Sequence, residues 1–288
     1  MFEWLGITPQ GLFGQILVGL INGSFYAILS LGLAIIFGLL NIVNFTHGAQ
    51  YTMGAFVAWM AATYAGIGYW WSLLLAPLVV GLIGIALELT MLRRLYRSDH
   101  VYGLLLTFGL ALIIEGGLRQ SFGISGERYD IPEQLTGAVN LGFMVLPIYR
   151  AWVVLASMSL CLVTWFIIER TKLGAYLRAG TENPSLLRAF GVNVPLLITL
   201  TYGFGAALAA PIFQVNPVMG SNLLIVVFAV VVVGGLGSIA GAIVTGVGLG
   251  LVEGLTKVFY PEASSVVIFV AMVIVLMLRP RGLFGKDA

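Results

Sequence analysis

Long apolar runs separated by short polar segments make up most of the chain, and no Asp, Glu, Lys or Arg occurs between Glu3 and Glu88. A membrane-spanning helix needs about 20 apolar residues, whereas the strands of membrane barrels alternate over about ten. The continuous runs therefore predict an all-α, polytopic bundle of about eight to ten spans. We place nine spans at Gly11–Phe37, His47–Ala65, Trp71–Leu92, Val101–Phe122, Arg150–Ile168, Pro195–Phe213, Leu223–Gly234, Ile239–Val258 and Ser264–Leu278.

Composition supports a membrane protein, because 60% of the 288 residues are hydrophobic and only 9% are charged. Soluble domains carry about 45–50% apolar and about 25% charged residues, and disordered chains are poor in apolar residues. The single cysteine, Cys161, excludes an internal disulfide. The polar segments are too short to form a core of their own, so the sequence predicts one membrane domain over residues 1–288.

Basic residues mark one side of the predicted membrane. One threading of the nine spans places ten of the 14 Lys and Arg residues on the same side, which the positive-inside rule makes cytoplasmic. We therefore expect the C-terminus inside, the N-terminus outside and the loop Gly123–Tyr149 outside. The ten residues are Arg93, Arg94, Arg97, Arg170, Lys172, Arg178, Arg188, Arg279, Arg281 and Lys286.

No catalytic or metal-binding pattern accompanies these spans. The sequence has neither a GxxxxGK(S/T) phosphate-binding loop nor an HExxH pair, and the two histidines, His47 and His100, lie in distant segments. A net charge of +2 is too small and scattered to indicate a nucleic-acid partner. We expect no catalytic residue, no metal site and no cofactor on this chain. If ATP powers its function, another subunit must hydrolyse the ATP.

The predicted cytoplasmic loop, residues 169–194, contains the signals of a short helix. It has an N-cap, a proline at the first helical position, a glycine after the end, and apolar side chains four residues apart on one face. Two hypotheses account for that apolar face: a protein partner covers it, or the helix lies on the lipid headgroups. The residues concerned are Arg178, Asn183, Pro184, Leu186, Leu187, Arg188, Phe190 and Gly191.

Small residues recur every four positions near the end of the chain. Such a stripe lets two helix backbones approach closely in a membrane, either as a sliding interface or as static close packing. It begins at Gly-Gly-Leu-Gly-Ser, where low helix propensity favours a break that would leave a half-helix with a free N-terminus inside the bundle. The predicted packing seam comprises Gly234, Ser238, Ala242, Gly246, Gly250 and Gly254.

Polar side chains within the apolar spans are candidates for the lining of a translocation path. The segment Asn41–Gly48 is interpreted either as a broken-helix gate or as a turn in which Asn44 or Thr46 caps the next helix. Gln50 follows it and also needs hydrogen-bond partners at membrane depth. The candidates for the path are Asn22, Tyr26, Asn44, His47, Ser238 and Thr245.

Two carboxylates lie inside apolar spans, and each precedes a cation by four residues: Glu115 precedes Arg119, and Glu253 precedes Lys257. This order favours a salt bridge along the helix. Carboxylates inside membranes also face the bundle interior or water rather than lipid. A structural or entrance-lining role is the preferred interpretation, and a proton relay is the alternative.

Six motifs in one order resemble the permease subunits of branched-chain amino acid ABC importers, of the type that pairs two related permeases. The resemblance runs through nearly the whole chain. One departure is that Pro211 follows Leu208-Ala209-Ala210 directly, where family members have a longer Ala/Gly-rich run. The motifs are Asn44–Gly48, Met53–Ala55, Thr107–Leu110, Leu177–Asn193 with its Asn183-Pro184 step, Val233–Ala242 and Leu278–Gly285.

The resemblance implies that the chain forms one wall of a path for branched-chain amino acids or similar small solutes. A second, homologous permease subunit would form the other wall, two cytoplasmic ABC ATPase subunits would carry ATP and Mg²⁺, and a periplasmic solute-binding protein would deliver the solute. The protein would lie in the inner membrane. The segment around Asn183–Phe190 then resembles the coupling helix that fits the ATPase.

Other functions stay open at this point. Similar permeases are associated with amides, urea and aromatic acids, and nothing in the sequence separates these solutes from leucine. An ATP-independent secondary transporter or channel would share the same apolar spans, and so would a membrane scaffold or sensor that transports nothing.

Overall fold

The computed structural model of the chain describes residues 8–40, 44–95, 99–182 and 215–285, without the side chains of residues 39, 40, 100, 178 and 180–182. Helices account for most of these residues, and the only strands described are β1 (Ala138–Asn140) and β2 (Val145–Pro147), which form an antiparallel hairpin. The predicted all-α membrane bundle is therefore confirmed.

The helices follow the apolar runs of the sequence. In chain order they are α1 (Pro9–Leu40), α2 (Thr46–Ala65), α3 (Tyr69–Leu87) with a π-helical turn (Glu88–Leu92), α4 (Arg93–Leu95), α5 (His100–Phe122), α6 (Ile148–Arg170), α7 (Lys172–Glu182), α8 (Met219–Gly234), α9 (Ile239–Phe259) and α10 (Val267–Leu278), with short 3₁₀ turns at Glu133–Leu135 and Pro261–Ala263.

Eight of the nine predicted spans coincide with these helices, and the ninth, Pro195–Phe213, lies outside the described residues. Within the described residues, five helices are long and apolar enough to cross a membrane: Pro9–Gly38, Tyr69–Leu95, Val101–Phe122, Ile148–Arg170 and Ile239–Phe259. Met219–Gly234 and Val267–Leu278 are shorter apolar helices.

The first half of the segment predicted as a cytoplasmic loop is helical, because residues Lys172–Glu182 form helix α7. On this helix Leu177 is buried, whereas Lys172, Leu173 and Tyr176 are exposed. A buried side chain on an otherwise exposed segment is typical of an amphipathic helix. The sequence prediction missed this helix because the surrounding segment is polar.

One compact unit comprises Met1–Ser30, Ile131–Leu162 and Val226–Ala288. Its core contains Ala229, Val230, Val233, Leu249 and Ile268, contributed by α8, α9 and α10. Burial of such aliphatic side chains against one another holds these three helices together.

The other compact unit comprises Leu31–Asp130 and Val163–Ile225. Helix α2 packs against α3 and α5 within it, and 13 of the 20 residues of α2 are buried. Its core includes Ala55, Phe56, Trp59 and Val215. Helix α2 is not among the five apolar helices named above, which fits a helix surrounded by protein rather than by lipid.

The predicted break before α9 is present. Helix α8 ends at Gly234, and Gly235 and Gly237 have φ of 101° and 79°, values that L side chains rarely adopt. The Ser238 hydroxyl oxygen then caps α9 by accepting a hydrogen bond from the Gly241 N–H at 3.1 Å. The C-terminal segment closes the end of α8, because the Leu283 and Phe284 N–H groups donate to the carbonyls of Val233 (2.8 Å) and Gly234 (3.1 Å).

Candidate functional site

Helices α1 and α9 approach so closely that even the Cβ atom of an alanine would collide at the α9 positions Gly246 and Gly250. A Cβ atom on Gly246 would lie 2.5 Å from the Ala27 nitrogen, and one on Gly250 would lie 2.6 Å from the Gly19 carbonyl oxygen and touch Gly23. Residues 19, 23 and 27 of α1 repeat the four-residue spacing of the α9 stripe. Sequence reasoning missed this second stripe, although its spacing was visible.

The other predicted seam residues lie around the break. Gly234 is the last residue of α8 and Ser238 caps α9, so these two do not continue the stripe along the α9 surface. Ala242 is fully buried, and its carbonyl accepts a hydrogen bond from the Ser30 hydroxyl at 3.3 Å. The close packing of α1 and α9 is therefore concentrated at Gly246, Gly250 and Gly254.

A buried polar group connects α1 and α9 beside this seam. The Glu253 carboxylate accepts hydrogen bonds from the Tyr26 hydroxyl at 2.8 Å and from Lys257 Nζ at 2.5 Å. The predicted Glu253–Lys257 pair is confirmed, and Tyr26 is an additional partner that the sequence did not indicate. The Glu253 carboxylate therefore has hydrogen-bond donors on both helices, and it links α1 to α9.

The remaining predicted path residues of this unit make local contacts. Ser238 and Thr245 both contact Gly241, since Ser238 Oγ accepts from its N–H while Thr245 Oγ1 donates to its carbonyl at 2.6 Å and to the Val230 carbonyl at 3.1 Å. Asn22 is half-buried on α1. Their assignment to a translocation path stays a prediction.

Before α2, Asn44 forms a turn onto the first helical residue, while Phe45 occupies the N-cap position without a side-chain hydrogen bond. The Asn44 Oδ1 atom accepts hydrogen bonds from the Thr46 N–H at 3.0 Å and from the Thr46 hydroxyl. His47 follows as a buried residue, and its N–H donates to the Asn44 carbonyl at 3.3 Å. The assignment of Asn44 and His47 to a translocation path stays a prediction.

Gln50 on α2 stands out for its burial. The residue has no exposed surface, and within the described part of the chain neither Oε1 nor Nε2 of its amide has a hydrogen-bond partner. A buried amide without partners costs about 1–3 kcal/mol. Such groups need an explanation, and a bound water or polar ligand would provide one.

A cavity of about 290 Å³ opens between α2, α5 and the start of α8, all within one compact unit. Phe45, Phe108, Leu112, Leu224 and Ile225 give it mostly apolar walls. Thr52, Ser221 and Glu115 are its polar members. Glu115 forms the predicted salt bridge with Arg119 at 2.8 Å, which is thereby confirmed.

A third carboxylate, Glu88, is fully buried and pairs with Arg93 at 3.2 Å. The pairing spans five residues, and the π-helical turn between them aligns positions five apart. Sequence reasoning missed this pair because it searched for the spacing of four that an α-helix requires.

Most of the predicted coupling residues cannot be placed. Arg178 belongs to α7, but its side chain is outside the described residues. Asn183, Pro184, Leu186, Leu187, Arg188, Phe190 and Gly191 also lie outside the described residues.

Comparison with known proteins identifies a family. The sequence model of the family described as "Branched-chain amino acid transport system / permease component" matches residues 15–276, which is most of the chain. No solved structure matches.

Individual relatives cover almost the whole chain. BraD of Pseudomonas aeruginosa, a high-affinity branched-chain amino acid transport system permease protein, is 28% identical over 94% of this chain and 95% of its own length. LivH of Escherichia coli K12, with the same description, is 26% identical over 94% of this chain and 95% of its own length. LivM of Salmonella typhimurium is 27% identical over 90% of this chain and 67% of its own length. This chain therefore belongs to the family of branched-chain amino acid transport system permease components.

Proposed function

We propose that this chain is the transmembrane permease subunit of an ATP-driven ABC importer that moves branched-chain amino acids into the cytoplasm. The observation that carries the proposal is the family match over residues 15–276, on a chain whose described helices are long and apolar enough for repeated membrane crossing. BraD and LivH, which match nearly end to end, are both named permease proteins of high-affinity branched-chain amino acid transport systems.

The proposed complex contains a second, homologous permease subunit. Support comes from the likeness of this chain to both LivH and LivM, which are named as permease proteins of the same kind of system. Two cytoplasmic ATPase subunits would bind ATP and Mg²⁺, because this chain lacks a phosphate-binding loop. A periplasmic solute-binding protein would contact the outer loops, and the C-terminus would be cytoplasmic, in keeping with Arg279 and Arg281.

Within this complex, we assign Asn183–Gly191, with Arg178, to the contact with the ATPase. ATPase closure would push on this segment and shift the helices beside it. Asn22, Tyr26, Asn44, His47, Ser238 and Thr245 are the proposed path residues, and they rest on their polarity within apolar spans.

The test is uptake of radiolabelled leucine by vesicles that contain the complete complex. We expect uptake to require this chain, ATP and an intact ATPase, and to fail with Leu186→Asp combined with Phe190→Asp. Copurification with ATPase subunits should accompany the activity. A tagged chain that purifies alone, with leucine uptake unaffected by the double substitution, would instead support an ATP-independent transporter or channel.

The solute is tested separately by competition. Unlabelled leucine, isoleucine and valine should suppress the uptake, whereas amides, urea and aromatic acids should not. Stronger suppression by one of these other solutes would show that the protein belongs to a transport system of the same family for that solute. Uptake that continues after deletion of this chain alone would favour a scaffold or sensor.

A further inference from the structure

The cavity between α2, α5 and α8 has the chemistry of an amino-acid site. We propose that it binds the aliphatic side chain of a branched α-amino acid, while Glu115 and Arg119 bind the ammonium and carboxylate of the same molecule. The proposal rests on the function proposed above and names the place where the permease itself holds the solute.

The cavity fits a small apolar group. Binding pockets for larger ligands measure about 300–1,000 Å³, so about 290 Å³ is the size for a small solute. Phe45 and Phe108, whose ring centroids are 6.0 Å apart at 83°, meet edge to face and form one wall. Leu112 and Leu224 add aliphatic surface. This lining favours a branched aliphatic side chain, because most of the wall offers a polar group of the solute no partner.

The charged rim matches an amino acid. Glu115 lines the cavity, and its Oε1 lies 2.8 Å from Nη2 of Arg119, one turn further along α5. An anion and a cation therefore lie side by side, with the anion at the cavity. An α-amino acid carries its ammonium and carboxylate on one carbon, and an adjacent carboxylate and guanidinium are complementary to both. A lipid acyl chain would use the apolar walls but leave these two charges without a role.

Both side chains of the pair have exposed surface. The side chain of Arg119 is 47% exposed and that of Glu115 is 19% exposed. Charges on membrane helices face water-filled cavities or the protein interior, because contact with lipid is too costly. An apolar cavity whose charged rim opens to water is accessible to a solute from a path.

Two substitutions on α5 distinguish an effect on the cavity from an effect on the rest of the helix surface, and a third tests the charge. Ala111→Phe places a ring in the space that the solute side chain would occupy, since Ala111 lines the cavity. Ile113→Phe is the matched control, because Ile113 is 71% exposed and does not line the cavity. Glu115→Gln removes the charge at the rim with little change in volume.

The experiment uses the complete complex with its solute-binding protein in proteoliposomes, and measures leucine uptake and ATP hydrolysis together. Ala111→Phe and Glu115→Gln should each reduce uptake by about tenfold, the scale on which apolar pockets discriminate between solutes. ATP hydrolysis should stay within about twofold of wild type, and Ile113→Phe should transport normally. Thermal unfolding of each variant identifies any that is misfolded, and Glu115→Gln keeps the test valid if Ala111→Phe fails to fold.

Several outcomes would refute the proposed amino-acid site. Leucine uptake at the wild-type rate in folded Ala111→Phe and Glu115→Gln would do so, and so would an equal loss in Ile113→Phe. A phospholipid that copurifies with wild type and is displaced in Ala111→Phe, with unchanged uptake, would identify a lipid site instead. A wild-type complex that transports no branched-chain amino acid would refute the proposed function itself, which is a distinguishable result.

Discussion

Two glutamate–cation pairs of the same spacing lie in very different surroundings. Glu253 on α9 is buried, is bonded to Lys257 and Tyr26, and belongs to a helix that packs on α1 through glycines. Glu115 on α5 lies at the rim of a cavity, and all three glycines along the middle of α5 have open space where a side chain would be. A charge inside a membrane span therefore either holds helices together or stays accessible to a solute, and the packing of its helix decides which.

Gly250→Leu should have the largest effect, because it disrupts the close packing of α1 against α9. A side chain there would collide with the backbone of Gly19 and Gly23, so we expect a loss of about 3 kcal/mol of stability or failure to fold. The measurement is thermal unfolding of protein purified from membranes. Gly248→Leu is the control on the same helix, because nothing lies within 4 Å of its Cβ position. Equal melting temperatures for the two variants would refute the close α1–α9 contact.

Tyr26→Phe tests the bond between the helices. Loss of a hydrogen bond to a buried carboxylate should cost about 1.5–3 kcal/mol. Tyr64→Phe, at a side chain that is 73% exposed, should cost little. In a Glu253→Gln background the effect of Tyr26→Phe should shrink, as a double-mutant cycle would measure. An unchanged effect in that background would show that Tyr26 acts through other contacts.

Gln50→Leu should change stability less than Gly250→Leu and Tyr26→Phe do, and in the opposite direction. Removing a buried amide that has no partner among the described residues should stabilise the fold by about 1 kcal/mol. Leucine uptake should fall, if the amide contacts a polar solute. Gln50→Glu, which buries a charge, should lower the melting temperature. A lower melting temperature for Gln50→Leu would show instead that the amide is bonded within the folded protein.

Much of the fold could be predicted because apolar runs of membrane length are nearly independent of tertiary context. The limits of α9 are an example, since Ser238 and the glycines before it stop one helix and start the next. Helix α7 was missed, because an amphipathic helix within a polar stretch has no long apolar run.

The candidate sites were less predictable. The pairs Glu115–Arg119 and Glu253–Lys257 follow from spacing along one helix, so the sequence indicated both. The cavity depends on side chains of three helices that meet only in the folded chain, and the Tyr26–Glu253 bond joins residues 227 apart in sequence. Glu88–Arg93 depends on a π-helical turn, for which no sequence signal was available.

The most direct measurement compares Glu115→Gln with Glu253→Gln in the same complex, for both thermal unfolding and leucine uptake. Glu253→Gln should lower stability by about 3 kcal/mol, because it disrupts a buried pair. Glu115→Gln should change stability by only about 0.5 kcal/mol, since its partner is half-exposed, while uptake falls by about tenfold. A folded Glu115→Gln complex that transports leucine like wild type, or that unfolds as early as Glu253→Gln, would contradict the division between a holding charge and a solute-binding charge.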